Sequence, residues 1–94
     1  MPAVIEVSFS EGFKKAYQKS VGSGTISASV FRHALGLFSA NPFDVKLKTH
    51  KLSGKLKGLW SFSIGYDVRV VFYFTDDKPQ KAIFVNIGNH DDVY

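Results

Sequence analysis

Ninety-four residues, 45% of them hydrophobic and nine of them Phe, suit one domain over 1–94 built on a single core. The absence of Cys excludes disulfide and zinc–thiolate staples and points to a reducing, intracellular setting. The net charge is +4, the opening Met1-Pro2-Ala3-Val4-Ile5-Glu6 lacks the basic and apolar blocks of a targeting segment, and no stretch is long enough to span a membrane, so neither processing nor a membrane partner is expected.

In chain order, Ile5, Val7 and Phe9 alternate with Glu6 and Ser8, the period of a half-buried strand. Ser10-Glu11 can cap a helix carrying Phe13, Ala16 and Tyr17, which Gly22 and Gly24 end. A second helix is expected from about Ser27 to Ser39, with Val30, Phe31, Ala34, Leu35 and Phe38 on one stripe, and Asn41-Pro42 stops it. Within it Gly36 reads as a close helix-to-sheet contact and His33 as a surface or core-edge residue. Between Val45 and Leu59 stand five lysines (Lys46, Lys48, Lys51, Lys55 and Lys57) and no acid. The plainer reading is a solvated loop, the sharper one a patch facing a polyanion.

From Trp60 the period becomes two. Trp60, Phe62 and Ile64 form one strand, the Gly65-Tyr66-Asp67 turn follows, and Val68, Val70, Phe72 and Phe74 alternate with Arg69, Val71 and Tyr73. After the Asp76-Asp77-Lys78-Pro79 turn, Ile83, Val85 and Ile87 alternate with Phe84 and Asn86, which completes an antiparallel meander. A hairpin centred on Tyr66 sets Arg69 opposite Ser63, and one centred between Asp77 and Lys78 sets Asn86 opposite Arg69. The helices are then expected on Trp60, Phe62, Ile64, Val68, Val70, Phe72, Phe74, Ile83, Val85 and Ile87. Ser61, Ser63, Arg69, Val71, Tyr73 and Asn86 are left on an open face, with His90 just beyond its end. An arginine in an apolar strand needs an open face or an anion, because its charge cannot be removed near neutral pH.

Four stretches carry a resemblance: His50-Lys51-Leu52-Ser53-Gly54, Leu56-Lys57-Gly58-Leu59-Trp60-Ser61, Asp67-Val68-Arg69-Val70-Val71-Phe72, and Ile87-Gly88-Asn89-His90-Asp91-Asp92-Val93-Tyr94. Together they resemble the RelE/ParE toxin superfamily, and most nearly its YafQ-like and RelE-like ribosome-dependent mRNA interferases. The resemblance implies an α+β fold in β-α-α-β-β-β order, two helices packed on one face of a twisted antiparallel sheet. It also implies a bacterial, cytoplasmic toxin that cuts messenger RNA in the ribosomal A site without a metal or cofactor, leaving a 2′,3′-cyclic or 3′-phosphate and a 5′-hydroxyl. Its partners would be ribosomal RNA, mRNA and a cognate antitoxin, in a toxin–antitoxin hetero-oligomer.

Carried over by position, His50 matches a catalytic histidine of the YafQ-like members and Asp67 a functional aspartate before the strand. Arg69 matches the phosphate-binding arginine of the RelE-like members, His90 a position that is histidine or arginine, and Tyr94 the C-terminal aromatic. Ser61 and Ser63 depart from RelE-like members, which have lysines there; with the five lysines they form the expected RNA-binding set. Since nothing follows Tyr94 in this sequence, no helix is expected to hold it.

The chemistry agrees. Metal-free RNA cleavage needs a base for the 2′-hydroxyl, an acid for the leaving oxygen and a cation for the charged transition state. Histidine serves either proton-transfer role, His50 being the expected base and His90 the expected acid, and Arg can donate two hydrogen bonds to a phosphate. Three histidines without Cys, none at helical ligand spacing, lead to no expected metal site. Plainer readings are a loop histidine at 50, an Arg69 ion pair with Asp67 or Glu6, and a frayed Tyr94. Two other functions share the fold: a ParE-like toxin that inhibits DNA gyrase without nuclease activity, and a degenerate member kept for antitoxin binding or autoregulation.

Overall fold

The computed structural model describes residues 4–94. Residues 1–3, which open the Met1–Glu6 stretch, and the side chain of Asp92 lie outside the described residues. Five strands form one sheet in the order β1-β5-β4-β3-β2, with β1 Glu6–Phe9, β2 His50–Lys51, β3 Trp60–Ile64, β4 Val68–Phe74 and β5 Lys81–Asn89. Helices α1 (Glu11–Gly22) and α2 (Ala28–Ala40) follow β1, and a short helix α3 (His90–Val93) follows β5.

Both long helices start where a serine supplies the missing acceptor. Ser10 Oγ accepts the Phe13 N–H at 3.0 Å, and Ser27 Oγ accepts the Val30 N–H at 3.1 Å. Each lays an apolar stripe on the same face of the sheet, where Phe13, Phe31, Ala34 and Phe38 meet Phe62, Val70, Phe72, Ala82, Phe84 and Ile87. Phe38 is the centre of this core: its ring lies 5.0 Å from Phe62, 4.9 Å from Phe72 and 5.1 Å from Phe84. Gly36 makes no close contact; it is exposed, and a Cβ there would meet nothing within 4 Å.

The sheet is mixed. β3, β4 and β5 form the expected antiparallel meander, which leaves the outer edge of β5 free, and β1 takes that edge in parallel, Glu6 opposite Lys81 and Phe9 opposite Phe84. Alternation of apolar residues gives a strand no direction, so this pairing was not visible in the sequence. The two-residue strand β2 was not visible either.

The first hairpin has the expected register, Ser63 opposite Arg69. The second does not. Phe72 pairs with Phe84 but Val71 pairs with Asn86, so Val85 is an extra residue in β5, a β-bulge. The bulge changes the phase of β5 along its length. Because the strands pair about Lys78 rather than between Asp77 and Lys78, Ala82 and Phe84 face Phe74 and Phe72 and enter the core in place of Ile83 and Val85, and the extra residue then returns Ile87 to the core side. Asn86 is displaced from Arg69, which faces Gly88 instead. The Asn86 carboxamide accepts the Ile87 N–H, and the residue lines a hollow with Lys19 and Ser23 at the end of α1.

The second face of the sheet is only partly open. α3 packs against β4 and β5 and buries Val93 there together with Val71. The tail expected to fray is thus anchored, because Val93 supplies the apolar contact that a free end lacks.

Candidate functional site

The second face carries His50, Ser61, Ser63, Arg69, His90 and Tyr94 on four elements, β2, β3, β4 and α3 with the residue that follows it. Cross-strand neighbours share a face, so His50 of β2 stands beside Ser61 of β3, and Ser63 two residues on stands beside Arg69 of β4. From above, α3 delivers His90 and Tyr94, whose rings meet edge to face at 4.6 Å. The Tyr94 hydroxyl donates to Ser61 Oγ, linking the C-terminal residue to the rung that carries His50. Ser61 is fully buried under this contact and Ser63 nearly so.

Arg69 sits in an open depression of about 680 Å³ that is also lined by Lys48, Ser63, Tyr66, Asp67 and His90. One nitrogen of its guanidinium donates to the Val68 carbonyl at 3.1 Å and, more weakly, to that of Tyr66 at 3.4 Å. Among the described residues no carboxylate lies within 4 Å of it, and Glu6, one of its expected partners, pairs with Lys81 at 3.7 Å instead. A guanidinium has five donors, so most of the fork is directed to whatever enters the depression. Gly88 opposite it offers no side chain to cover that approach.

His50 is oriented by an unusual backbone. A 3-10 turn at Val45–Leu47 ends on Lys48, which adopts the left-handed conformation at φ 54°, a geometry that costs a residue with a Cβ roughly 1–2 kcal/mol. The Lys48 carbonyl then lies 3.0 Å from His50 Nδ1. A carbonyl can only accept, so Nδ1 carries the proton and Nε2 of the neutral ring keeps its lone pair for a substrate. His90 has its own carboxylate neighbour, Asp91, 3.8 Å from Nδ1, and both are exposed. His33 lies on the exposed side of α2, away from this site.

The lysine segment does not form one surface. Lys48 belongs to the Arg69 depression, whereas Lys51 and Lys57 line a different one beside Trp60, and Lys46 and Lys55 stand exposed on the Val45–Leu47 turn and on a second 3-10 turn, Gly54–Leu56. The division follows from β2 alternation, which turns His50 and Lys51 to opposite faces. Sequence reasoning passed over Tyr66, a 97% exposed ring at the rim of the Arg69 depression, and the carbonyl of Lys48. The Gly65-Tyr66-Asp67 turn was the available signal for the first; a φ above zero at a lysine has none. Among the described residues, no group of three His, Asp or Glu side chains is placed to hold a metal ion, and no helix is long and apolar enough to cross a membrane.

The family described as the bacterial toxin of type II toxin-antitoxin systems, YafQ, matches residues 5–94. YafQ from E. coli has a similar structure, with a TM-score of 0.77 at 18% identity, covering 96% of this chain and 98% of that one. The toxin in the E. coli DinJ-YafQ toxin-antitoxin complex gives 0.74 at 18%, covering 96% and 97%. A conserved hypothetical protein from Helicobacter pylori gives 0.69 at 26%, covering 96% and 99%. No curated protein matches in sequence.

Proposed function

The chain belongs to the YafQ family of type II toxin–antitoxin toxins, and from that premise we propose that it is an endoribonuclease that cuts messenger RNA on the ribosome. The observation that carries this reading is Arg69: a guanidinium in an open depression, without a carboxylate partner among the described residues, flanked by Lys48 and His90. In this reading a backbone phosphate enters the depression and takes two hydrogen bonds from Arg69. His50 Nε2 removes the proton from the adjacent 2′-hydroxyl, which attacks the phosphorus. The P–O5′ bond breaks, and His90 returns a proton to the leaving 5′-oxygen. The products are a 2′,3′-cyclic phosphate and a 5′-hydroxyl. Arg69 meets the charge that grows on the equatorial oxygens during this exchange.

Tyr94 is held against His90 and by its hydroxyl to Ser61, and stacks on the splayed base, while Asp67 at the mouth helps orient the incoming strand. Lys46, Lys48 and Lys55 meet ribosomal RNA phosphates, which position the enzyme without reading sequence. The partner in the cell is a cognate antitoxin, by analogy with the E. coli DinJ-YafQ complex. It is expected to cover or displace the segment carrying His90 and Tyr94, and pulldown with the product of the neighbouring reading frame tests this; recovery of no stable complex would count against it.

The deciding experiment maps 5′-ends after induction on translated and untranslated copies of one message. Cleavage confined to the translated copy supports the ribosome-dependent reading. Growth arrest with intact message would favour the gyrase-directed alternative instead.

A further inference from the structure

A second depression, of about 640 Å³, lies between the Gly54–Leu56 turn, Trp60 and the end of β4. It shares no lining residue with the Arg69 depression. We propose that it is a separate RNA-binding site that seats one unpaired nucleotide, the base against an aromatic cluster and the phosphate against Lys51 and Lys57. The inference rests on the RNA-directed reading above and adds to it a place where RNA is held without being cut.

Three observations carry it. Lys51 pairs with Trp60 across β2 and β3, and its ammonium stands 5.5 Å from the centre of the indole ring, so cation and aromatic surface are presented together. Trp60 and Phe74 are the rings that line the depression, and Phe43, 54% exposed, backs them from outside the lining at 5.5 Å from Trp60 and 5.8 Å from Phe74. Cations that follow a backbone beside rings that accept any base are the two parts of a single-strand site.

The third observation is the rim. Lys57 stands on it, and so do Asp76 and Gln80. A carboxylate is out of place in a site for phosphate alone. Against a base edge it accepts from an exocyclic amino group, and the Gln80 amide can both donate and accept. The volume falls within the roughly 300–1,000 Å³ typical of pockets for small ligands. A duplex, whose bases are stacked inside, offers nothing to the aromatic cluster.

Trp60 is the only tryptophan in the chain, so its emission reports occupancy directly. The full-length protein is titrated with a ten-nucleotide cytidylate strand and with a ten-base-pair RNA duplex, at two salt concentrations. The strand should shift Trp60 emission saturably, and the duplex should leave it unchanged. K51A/K57A should weaken strand binding at least 10-fold and reduce the salt dependence by an order of about one to two in log–log slope. Phe74→Ala, which removes a ring from the lining, should weaken it roughly 5- to 100-fold. The lysine pair is exposed, so that variant carries the test should the Phe74 variant fold poorly. Unchanged emission, equal response to strand and duplex, or wild-type affinity in K51A/K57A would each overturn the proposal. Strand binding by a protein that cuts no message on ribosomes would sink the nuclease reading while leaving this site standing; cleavage without strand binding would do the reverse.

Discussion

The two faces of the sheet are closed in different ways. One is sealed by two helices, with Phe62, Phe72 and Phe84 of the sheet interlocked around Phe38 of α2, and the other is closed at one end by four residues of α3 and left open at Arg69. Buried rings resist change because a vacated volume refills poorly. Polar groups held by single hydrogen bonds tolerate substitution structurally, so the second face can vary its chemistry on a constant support. Stability should therefore reside in the first face and activity in the second.

The largest expected effect breaks the first face. Phe38→Ala should destabilise the fold by about 3–5 kcal/mol, read as a lower urea midpoint, which is a large part of the stability of a small domain. On the second face, His50→Gln and His90→Gln should leave that midpoint nearly unchanged while lowering single-turnover cleavage by roughly two to four orders of magnitude. Two groups acting in opposite protonation states give a bell-shaped pH profile whose limbs belong to the pair, and each variant should flatten one limb. If both variants retained the wild-type rate and profile on programmed ribosomes, the assignment of acid and base to these histidines would be lost.

Arg69→Ala should lower cleavage by about 100-fold or more with a native melting curve, and Arg69→Lys should recover only part, since the planar fork is gone. Unfolding of the alanine variant would move Arg69 to the structural side of the comparison. The smallest effect is at Tyr94. Tyr94→Phe removes the donor to Ser61 and should cost roughly 0.5–1.5 kcal/mol in docking of the C-terminal segment, seen as faster amide exchange in α3 with the core amides unaffected.

Much of the first face was legible in the sequence, because helix caps at Ser10 and Ser27 and apolar stripes are local signals. The β3–β4 register was legible too, since a short turn fixes it. The remainder of the sheet was not. Centring the second turn between Asp77 and Lys78 rather than on Lys78 put β5 on the wrong side up to the bulge, and the extra residue at Val85 leaves no mark in an alternating pattern that continues through it. The candidate site residues were named through the resemblance, but not their arrangement. Tyr94 reaches Ser61 across 33 residues of chain, and Lys51 and Lys57 part from Lys48 into a different depression because a two-residue strand too short to recognise turns Lys51 away from His50.

The parallel pairing of β1 with β5 has a consequence for synthesis. It joins residue 6 to residue 81, so the strand made first waits for one of the last elements before its inner edge is filled. Contacts of such sequence span form late, and until then β1 offers both edges and the Phe9 ring to other chains. The nascent chain passes through a long interval in which α1, α2 and the β3–β4 hairpin can assemble while the support for α3 is incomplete. His90 and Tyr94 come into position only after β5 is seated, so the second face matures after the first.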